Sequence, residues 1–273
     1  MSFALTGTLV LAGCGKMGGA MLEGWLNGGA DPARIAAFDP NPPPEVKALL
    51  AARGIRHNPP VYAITDAQVL LVAVKPQIMD EVLPGFAPLK ASRPLILSIA
   101  AGKTIASFER HFGADAAVIR TIPNTPAAIG RGITAMAANP NVTEAQIALA
   151  QSLLEAVGEV VRVSDEALID AVTAVSGSGP AYVFYLTECL AAAGAKAGLD
   201  PALAMQLARA TVSGSGELMR VSGLDAATLR QNVTSPKGTT YAALQVLMAE
   251  NGLDALMTEA IAAATRRSRE LAS

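Results

Sequence analysis

The sequence predicts an α/β protein in which a doubly wound, mostly parallel sheet is followed by an all-helical second domain. In the first half of the chain, short apolar runs alternate with amphipathic stretches, the pattern of βαβ units that bury a parallel sheet on both faces. After about residue 164 the strand signals nearly vanish, and alanine-rich helical periodicity takes over. We therefore expect one domain at residues 1–163 and a second at residues 164–273.

Seven short apolar runs are predicted to be strands, because each is bounded by Gly, Pro or polar residues. They are Thr8–Ala12, Arg34–Phe38, Val69–Val74, Leu95–Ser98, Ala116–Arg120, Ile133–Ala137 and Val160–Val163. The amphipathic stretches between them are predicted to be helices. They are Lys16–Asn27, Glu45–Arg53, Met79–Phe86, Ile105–His111 and Glu144–Ala156. This alternation is typical of a doubly wound domain.

The second domain is predicted to begin with Asp165 as a helix N-cap and to stay helical almost to Ser273. Breaks between its helices are predicted at Gly177–Pro180, Gly198–Pro201, Ser222–Asp225, Val233–Lys237 and Asn251–Gly252. Helices this rich in alanine have narrow apolar faces that pack closely, and a partner chain is needed to cover one or more of them. We therefore expect a homodimer.

Composition excludes several classes of function. Of the 273 residues, 51% are hydrophobic and 16% are charged, which excludes intrinsic disorder. A net charge of -2 leaves no basic face for nucleic acid. No apolar run is long enough to cross a bilayer, and the N-terminus does not resemble a secretory signal. Two cysteines and two histidines supply neither a disulfide framework nor a metal site, so we expect a cytoplasmic protein without a metal.

A glycine motif follows the first predicted strand and opens the first predicted helix. Residues Gly13–Gly18 match G-x-G-x-x-G in the context that gives this motif its meaning. Gly13 permits the tight turn, Gly15 lets a pyrophosphate approach the backbone, and Gly18 lets the helix pack on the strand. Free N–H groups and the helix dipole hold the anion. The motif predicts a Rossmann-type domain that binds NADPH or NADH; the alternative is a glycine-rich turn without a ligand. Cys14 is interpreted as a small residue that fills the turn.

Asp39 ends the second predicted strand, 21 residues after Gly18. An acidic side chain there bonds the adenine ribose hydroxyls and repels a 2′-phosphate, which by itself favours NADH. A like-charge contact at about 5 Å costs roughly 3 kcal/mol at an effective dielectric of about 20. Because four prolines and Asn41 follow Asp39, its carboxylate has the alternative role of capping the turn.

Two further loops follow predicted strands at the carboxyl edge of the sheet, where ligands of open α/β folds bind. Lys75, with Pro76 after it, either reaches the cofactor or faces solvent. Asn124 lies in the segment Pro123–Pro126, whose two prolines make the loop rigid. The loop either places the Asn124 amide near the nicotinamide or simply makes a turn. Spacing alone leaves both alternatives open.

The segment 232–240, of sequence NVTSPKGTT, is the most informative part of the second domain. It leads into a helix predicted at Tyr241–Glu250. Free N–H groups of Gly238, Thr239 and Thr240 would point from the helix N-terminus at a carboxylate, and the Thr hydroxyls add donors. The alternative is an ordinary helix start capped by Ser or Thr.

Six segments, in this order, resemble the pyrroline-5-carboxylate reductase family. They are Gly13–Gly18, Val74–Gln77, Ala100–Gly102, Pro123–Pro126, Ser176–Tyr182 and Val233–Thr240. The resemblance spans nearly the whole chain, and its last two segments are highly specific. It implies a Rossmann domain holding NAD(P)H, a helical domain that interlocks with a second subunit, dimers often gathered into rings, and an active site between the domains.

Taken with the motifs, the resemblance implies a reaction and a set of site residues. The reaction is the reduction of 1-pyrroline-5-carboxylate to L-proline, the last step of proline biosynthesis. The expected cofactor contacts are Gly13, Gly15, Lys16, Met17, Gly18, Asp39, Ala73, Lys75, Pro76, Asn124 and Asn232. The expected substrate contacts are Glu166, Gly238, Thr239 and Thr240. Thr240 is the candidate catalytic residue, because its hydroxyl could orient the imine or shuttle its proton.

Three positions depart from the family. Lys237 stands where the family usually has glycine: if the position needs a positive φ, lysine costs around 1 kcal/mol of strain, and otherwise its ammonium attracts the anionic substrate. Ile122 replaces a usual Met, which we expect to be a packing change. Pro60 falls about where many members place an asparagine near the adenosine ribose. With Asp39, it leaves the choice between NADPH and NADH open.

Two other functions fit the same architecture. One is another NAD(P)H-dependent imine or β-hydroxyacid oxidoreductase, and the latter needs a lysine as acid–base in the helical domain. Lys196 is the candidate, but its place at a predicted helix end is typical of an exposed cation. The other is a non-catalytic regulator that binds the dinucleotide and leaves it unoxidised.

Overall fold

A computed structural model of the chain describes Phe3 and residues 5–272, with Ala272 described by its backbone alone. The chain divides into two compact units. The sheet unit comprises the chain up to Gly177 together with the segment from Thr265, and the helical unit comprises Ser178–Ala264. The domain boundary at 163/164 stays a prediction.

The sheet unit contains an eight-stranded, doubly wound sheet. The strands are β1 Thr8–Ala12, β2 Ile35–Phe38, β3 Arg56–His57, β4 Ala67–Val72, β5 Leu95–Ser98, β6 Val118–Ile122, β7 Gly132–Ala138 and β8 Gly158–Arg162. Their spatial order is β3-β2-β1-β4-β5-β6-β7-β8. Within the described residues, every neighbouring pair is parallel except β6 and β7. The predicted α/β, mostly parallel sheet is confirmed.

Eleven α-helices are present among the described residues. They are α1 Lys16–Asn27, α2 Pro44–Ala52, α3 Met79–Val82, α4 Ile105–Phe112, α5 Glu144–Glu155, α6 Ile169–Val172, α7 Gly179–Lys196, α8 Pro201–Ser222, α9 Ala226–Asn232, α10 Thr239–Leu247 and α11 Leu253–Ala272. In this part of the chain, no helix combines the length and the hydrophobicity that a membrane span requires.

Several strands differ from their predicted bounds because pairing partners set where a ladder ends. The strand predicted at Val69–Val74 lies two residues earlier, since Ala67 pairs with the start of β1 and Val72 with its end. The strand predicted at Ala116–Arg120 lies two residues later, where it pairs with β7. The two-residue edge strand β3 was missed, because it is too short to show an apolar pattern.

Two predicted helical features also differ. The helix predicted at Met79–Phe86 is α-helical only to Val82 and continues as 3₁₀ helix over Leu83–Ser92. Pro84 explains the change, because proline lacks the N–H donor that the next α-helical hydrogen bond requires. The break between helices predicted at Gly177–Pro180 is shorter than expected. A π-helical turn spans Thr173–Gly177, and α7 already begins at Gly179.

Apolar side chains cover both faces of the sheet. Leu9 and Leu11 of β1 belong to the core on one face, whereas Val10 and Ala12 belong to the core on the other. On the first face Trp25 of α1 is fully buried, and its Nε1 donates to the backbone carbonyl of Leu153 in α5 at 2.8 Å. This bond joins α1, which follows the glycine motif, to a second helix on the same face.

The helical unit has little core of its own. Its buried apolar residues, among those described, are three alanines: Ala191, Ala204 and Ala208. Large apolar side chains such as Phe184 and Met219 are exposed. An apolar surface of this kind is typical of a protein–protein contact. It agrees with the expectation that a partner chain covers these helices.

We predict that Trp25→Phe lowers the free energy of unfolding by about 2 kcal/mol, because it leaves a cavity and removes the hydrogen bond to Leu153. Urea denaturation followed by circular dichroism measures the change, since the chain then has no tryptophan fluorescence. The control is Tyr62→Phe, at a side chain that is 77% exposed. A loss of less than about 0.5 kcal/mol, the range of ordinary surface substitutions, would contradict the prediction.

Candidate functional site

The glycine turn after β1 is held by backbone contacts. Gly13 has φ +97°, a conformation that favours glycine, and its N–H donates to the carbonyl of Phe38 at 2.8 Å. A side chain at Gly13 would approach the carbonyl oxygen of Ala73 to 2.7 Å, and one at Gly18 would collide with the carbonyl oxygen of Gly13. These two glycines are therefore required by the packing of the turn itself.

Gly15 is different, because nothing in the fold explains it. Its φ of -66° is open to any residue, and no described atom beyond Gly15 and its two chain neighbours lies within 4 Å of where its Cβ would be. It is the N-cap of α1, and no side chain caps that helix start. The open space therefore lies beside uncapped N–H groups, which is the arrangement that a pyrophosphate needs. The residues present fit a dinucleotide.

A cleft of about 620 Å³ extends from this turn along the ends of β1, β2 and β4. This volume is within the range of small-molecule and cofactor sites. Its lining includes five of the predicted cofactor residues: Gly13, Gly15, Asp39, Ala73 and Lys75. Lys16, Met17 and Gly18 form the adjoining first turn of α1, and Pro76 follows Lys75 at the start of a 3₁₀ turn. The cofactor contacts themselves stay predictions.

Asp39 makes two backbone hydrogen bonds through its carboxylate. Oδ1 accepts from the N–H of Asn41 at 2.9 Å, which is the turn cap weighed in the sequence. Oδ2 accepts from the N–H of Cys14 at 2.7 Å, so the same carboxylate also holds the glycine turn. Both bonds leave the side chain on the wall of the cleft.

The Cys14 thiol is buried inside the glycine turn. Burial, and then the negative charge of Asp39, raise the pKa of this thiol to about 12. The thiol is therefore protonated at neutral pH and is a poor nucleophile. This agrees with its interpretation as a small filling residue.

Asn124 has a structural partner. It is buried after β6, and its Oδ1 accepts from the N–H of Ile133 at 2.9 Å. The side chain thus ties the start of β7 to the turn Thr125–Ile129, as the turn interpretation expected. It is not among the residues that line the cleft, so its proposed contact with the nicotinamide has no support from the cleft geometry.

Glu166 forms a partly buried ion pair with Arg120, which the sequence analysis missed. Its Oε1 accepts from Nη1 of Arg120 at 2.8 Å and from the N–H of Ile105, the first residue of α4, at 2.9 Å. The Arg120 side chain is 3% exposed, and its Nε and Nη2 have no hydrogen-bond partner among the described residues. A charged residue in the middle of the apolar strand VIRTI was the signal, because a buried charge requires a partner.

Segment 232–240 of the helical unit, named the substrate loop after its predicted role, contains a tight turn before α10. The N–H of Gly238 donates to the carbonyl of Ser235 at 3.0 Å, so the expectation that this N–H is free was wrong. Pro236 and Lys237 occupy the centre of the turn, and Lys237 has φ +61°. A proline followed by a residue with positive φ is the pattern of a type II turn, which favours glycine at the second central position. Lys237 is therefore in a strained conformation.

The helix after this turn begins at Thr239, two residues before its predicted start. Its N-cap is Gly238, and no side chain caps it, so the alternative of a start capped by Ser or Thr is wrong. The first bond of the helix runs from the N–H of Ala242 to the carbonyl of Gly238. The N–H groups of Thr239 and Thr240 precede that bond and lie at the positive end of the helix dipole.

Two other residues of the helical unit lie at helix ends. Asn232 is exposed at the last position of α9, where the substrate loop begins, and its contact with the cofactor stays a prediction. Lys196 is exposed in the last turn of α7, as expected for a cation near a helix C-terminus rather than an acid–base.

Among the described residues, no group of three His, Cys, Asp or Glu side chains could hold a metal ion.

The sheet is doubly wound, and the glycine turn and the cleft lie at the end of β1, where the strand order reverses. Together with a helical second unit, this arrangement defines a Rossmann-type dinucleotide-binding protein. Comparison with known proteins identifies the family. A model described as pyrroline-5-carboxylate reductase dimerisation matches residues 166–271, and one described as NADP oxidoreductase coenzyme F420-dependent matches residues 8–102. The pyrroline-5-carboxylate reductase of Pseudomonas aeruginosa is 41% identical over 98% of this chain and 97% of its own length. The chain belongs to the pyrroline-5-carboxylate reductase family.

Solved structures agree with this assignment. A pyrroline-5-carboxylate reductase from Coxiella burnetii is 32% identical and superposes with a TM-score of 0.91, over 98% of this chain and 100% of that one. A Plasmodium falciparum pyrroline carboxylate reductase, crystallised with NADP bound, is 27% identical with a TM-score of 0.81, over 98% and 99%. The family resemblance drawn from the motifs is confirmed.

We predict that Lys237→Gly raises the free energy of unfolding by about 0.5 to 1 kcal/mol, because glycine adopts the positive φ without strain. Lys237→Ala is the matched control: it removes the same charge but keeps a Cβ, so no gain is expected. Urea denaturation of both variants, followed by circular dichroism, measures the difference. Equal stabilities of the two variants would show that the turn is not strained.

We predict that Cys14 resists a thiol-specific disulfide reagent at pH 8 in the native protein. With a pKa of about 12, roughly one thiol in 10,000 is ionised at that pH. The Cys189→Ser variant isolates the reaction of Cys14, and its absorbance trace gives the rate. Full labelling is expected after denaturation, and rapid labelling of the folded variant would contradict the prediction.

Proposed function

We propose that this chain is an NAD(P)H-dependent oxidoreductase acting on a C–N bond, which reduces 1-pyrroline-5-carboxylate to L-proline in the last step of proline biosynthesis. The observation that carries the proposal is family membership over nearly the full length. Two helix starts without a side-chain cap support it, one with Gly15 as its N-cap and one with Gly238 as its N-cap. Each helix start suits one of the two anionic groups involved, the pyrophosphate and the substrate carboxylate.

The sheet unit holds the cofactor. When bound, the nicotinamide supplies a hydride to the substrate carbon. The open space at Gly15 and the N–H groups of Lys16, Met17 and Gly18 receive the pyrophosphate. Ala73, Lys75 and Pro76 line the approach from the end of β4, with the Lys75 ammonium exposed to meet an anion. Asn124 and Asn232 are proposed as further contacts.

The substrate loop holds the carboxylate. The N–H groups of Thr239 and Thr240 donate to it, and their hydroxyls add two donors. Gly238 belongs to the turn that positions these two residues, and its own N–H is already bonded inside that turn. The Lys237 ammonium adds a positive charge on the same turn. This side chain is exposed, so its contribution is to attract the anion.

Little acid–base chemistry is required of the protein. A protonated cyclic imine is already an electrophile, so the residues mainly have to bind and orient it, and orientation contributes up to about 7–11 kcal/mol. Thr240 is the proposed catalytic residue, since its hydroxyl can bond the ring nitrogen and hold or pass its proton. Glu166 is proposed to lie near the substrate, with its Oε1 already engaged by Arg120 and Ile105.

The proposal extends to assembly and location. We propose a homodimer formed through the domain at residues 164–273, and rings of such dimers as its higher assembly. The dimerisation family model and the exposed apolar residues of the helical unit support it. We also propose a cytoplasmic location, supported by two cysteines that form no disulfide.

An absorbance assay at the nicotinamide band, with 1-pyrroline-5-carboxylate and each reduced cofactor in turn, tests the proposed function. Loss of absorbance with formation of proline is the expected result. Binding of the cofactor without oxidation would favour the non-catalytic regulator. Oxidation with other imines or reduction of β-keto acids, but not with 1-pyrroline-5-carboxylate, would favour another oxidoreductase of this architecture.

We predict that Thr240→Ala lowers kcat/KM for 1-pyrroline-5-carboxylate by about 10- to 100-fold, the effect of one hydrogen bond to a charged group. Thr240→Ser keeps the hydroxyl and is the matched control, so it should recover most of the activity. Steady-state kinetics measure both variants, and circular dichroism checks that they fold. Wild-type kinetics in folded Thr240→Ala would remove this residue from the site.

A further inference from the structure

The carboxylate of Asp39 is held rigidly at the end of β2, where a dinucleotide places its adenosine ribose. Beyond the two bonds to Cys14 and Asn41, the backbone on either side of the carboxylate is clamped by Asn58. The Asn58 Oδ1 accepts from the N–H of Asp39 at 2.9 Å, and its Nδ2 donates to the Asp39 carbonyl at 2.9 Å. Two hydrogen bonds thus hold the carboxylate and two more hold its backbone, so turning the carboxylate away to admit a second anion would break the bonds to Cys14 and Asn41.

The turn after Asp39 offers a phosphate no free backbone N–H and no positive charge, and the side-chain amide of Asn41 is its one neutral donor group. Residues 40–44 read PNPPP, and proline has no N–H. The N–H of Asn41 is the exception, and it is already bonded to Oδ1 of Asp39. None of these residues carries a positive charge. A 2′-phosphate at this place would therefore find neither a backbone N–H nor a basic side chain in the turn.

Basic residues elsewhere around Asp39 do not supply the missing positive charge for a 2′-phosphate. The cleft includes one basic residue among its described lining, Lys75, and it follows β4 rather than β2. His57 lies beside Asp39, but its Nε2 contacts the backbone carbonyl, at 3.0 Å. Arg56 on the same edge strand points its Nη2 to the hydroxyl of Thr8, at 3.0 Å.

From this arrangement we infer that the chain selects NADH over NADPH, with Asp39 as the specificity-determining residue and Asn58 as the residue that positions it. The inference rests on the proposed function and narrows its cofactor. The carboxylate accepts hydrogen bonds from the 2′- and 3′-hydroxyls of NADH and repels the 2′-phosphate of NADPH. The bound NADP of the Plasmodium falciparum relative is a property of that protein.

Steady-state kinetics with 1-pyrroline-5-carboxylate test the inference. We expect wild-type kcat/KM to be at least about 10-fold higher with NADH than with NADPH. Asp39→Ser should lower this ratio by about 10-fold or more, chiefly by improving the use of NADPH. Asp31→Ser is the matched control: Asp31 caps the turn before β2 in the same way but lies outside the cleft, so the ratio should stay unchanged.

A second variant tests the inference even if Asp39→Ser fails to fold. Asn41→Arg keeps Asp39 and the backbone N–H that bonds it, and it adds a cation where the 2′-phosphate would lie. It should improve kcat/KM with NADPH more than kcat/KM with NADH, so the ratio of NADH use to NADPH use should fall. Equal use of the two cofactors by the wild type, or an unchanged ratio in a folded Asp39→Ser variant, would overturn the inference.

Cofactor titration without substrate separates this inference from the proposed function. Binding of NADH and NADPH is followed by the fluorescence of the reduced nicotinamide. Tighter binding of NADH, with no turnover of 1-pyrroline-5-carboxylate, would support the selection and refute the reaction. Turnover with equal binding and equal kcat/KM would support the reaction and refute the selection.

Discussion

The close approach of the Gly13 backbone to the end of β4 is the contact on which the cofactor cleft depends. β1 lies between β2 and β4, and the chain leaves these strands toward opposite faces of the sheet. Gly13 bonds the carbonyl of Phe38 at the end of β2, while Ala73 bonds the carbonyl of Ala12 at the end of β1. Any Cβ at Gly13 would push these strand ends apart. The contact therefore places the uncapped start of α1 at the point where the strand order reverses, which is where we propose that the pyrophosphate binds.

The parts of the fold that could be predicted are those whose signal is local. β1, α1 and β5 have the predicted bounds, because dense apolar runs there end at glycine or at polar residues. The ends of β4 and β6 depend on the strands beside them, and no local pattern contains that information. The early end of α3 was readable in principle, since Pro84 lies inside the predicted helix.

The candidate site shows the same division. The glycine motif and the strain at Lys237 follow from the chemistry of single residues and their neighbours. The ion pair of Arg120 with Glu166 joins residues 46 positions apart, and Asn58 reaches Asp39 across 19. The fold of the sheet determines which residues come together over such distances. The sequence alone indicates that a buried charge needs a partner, but it does not indicate which residue that partner is.

Few side chains are buried between Ser178 and Ala264, and this bears on when the subunits assemble and exchange. Three alanines bury too little surface to offset the conformational entropy of several helices, so we expect these helices to depend for their stability on the partner chain of the proposed homodimer. In the homodimer proposed for this family member, separation of the subunits would then unfold this unit. Subunit exchange between mature dimers would be as slow as unfolding, and two versions of the enzyme in one cell would mix mainly at synthesis.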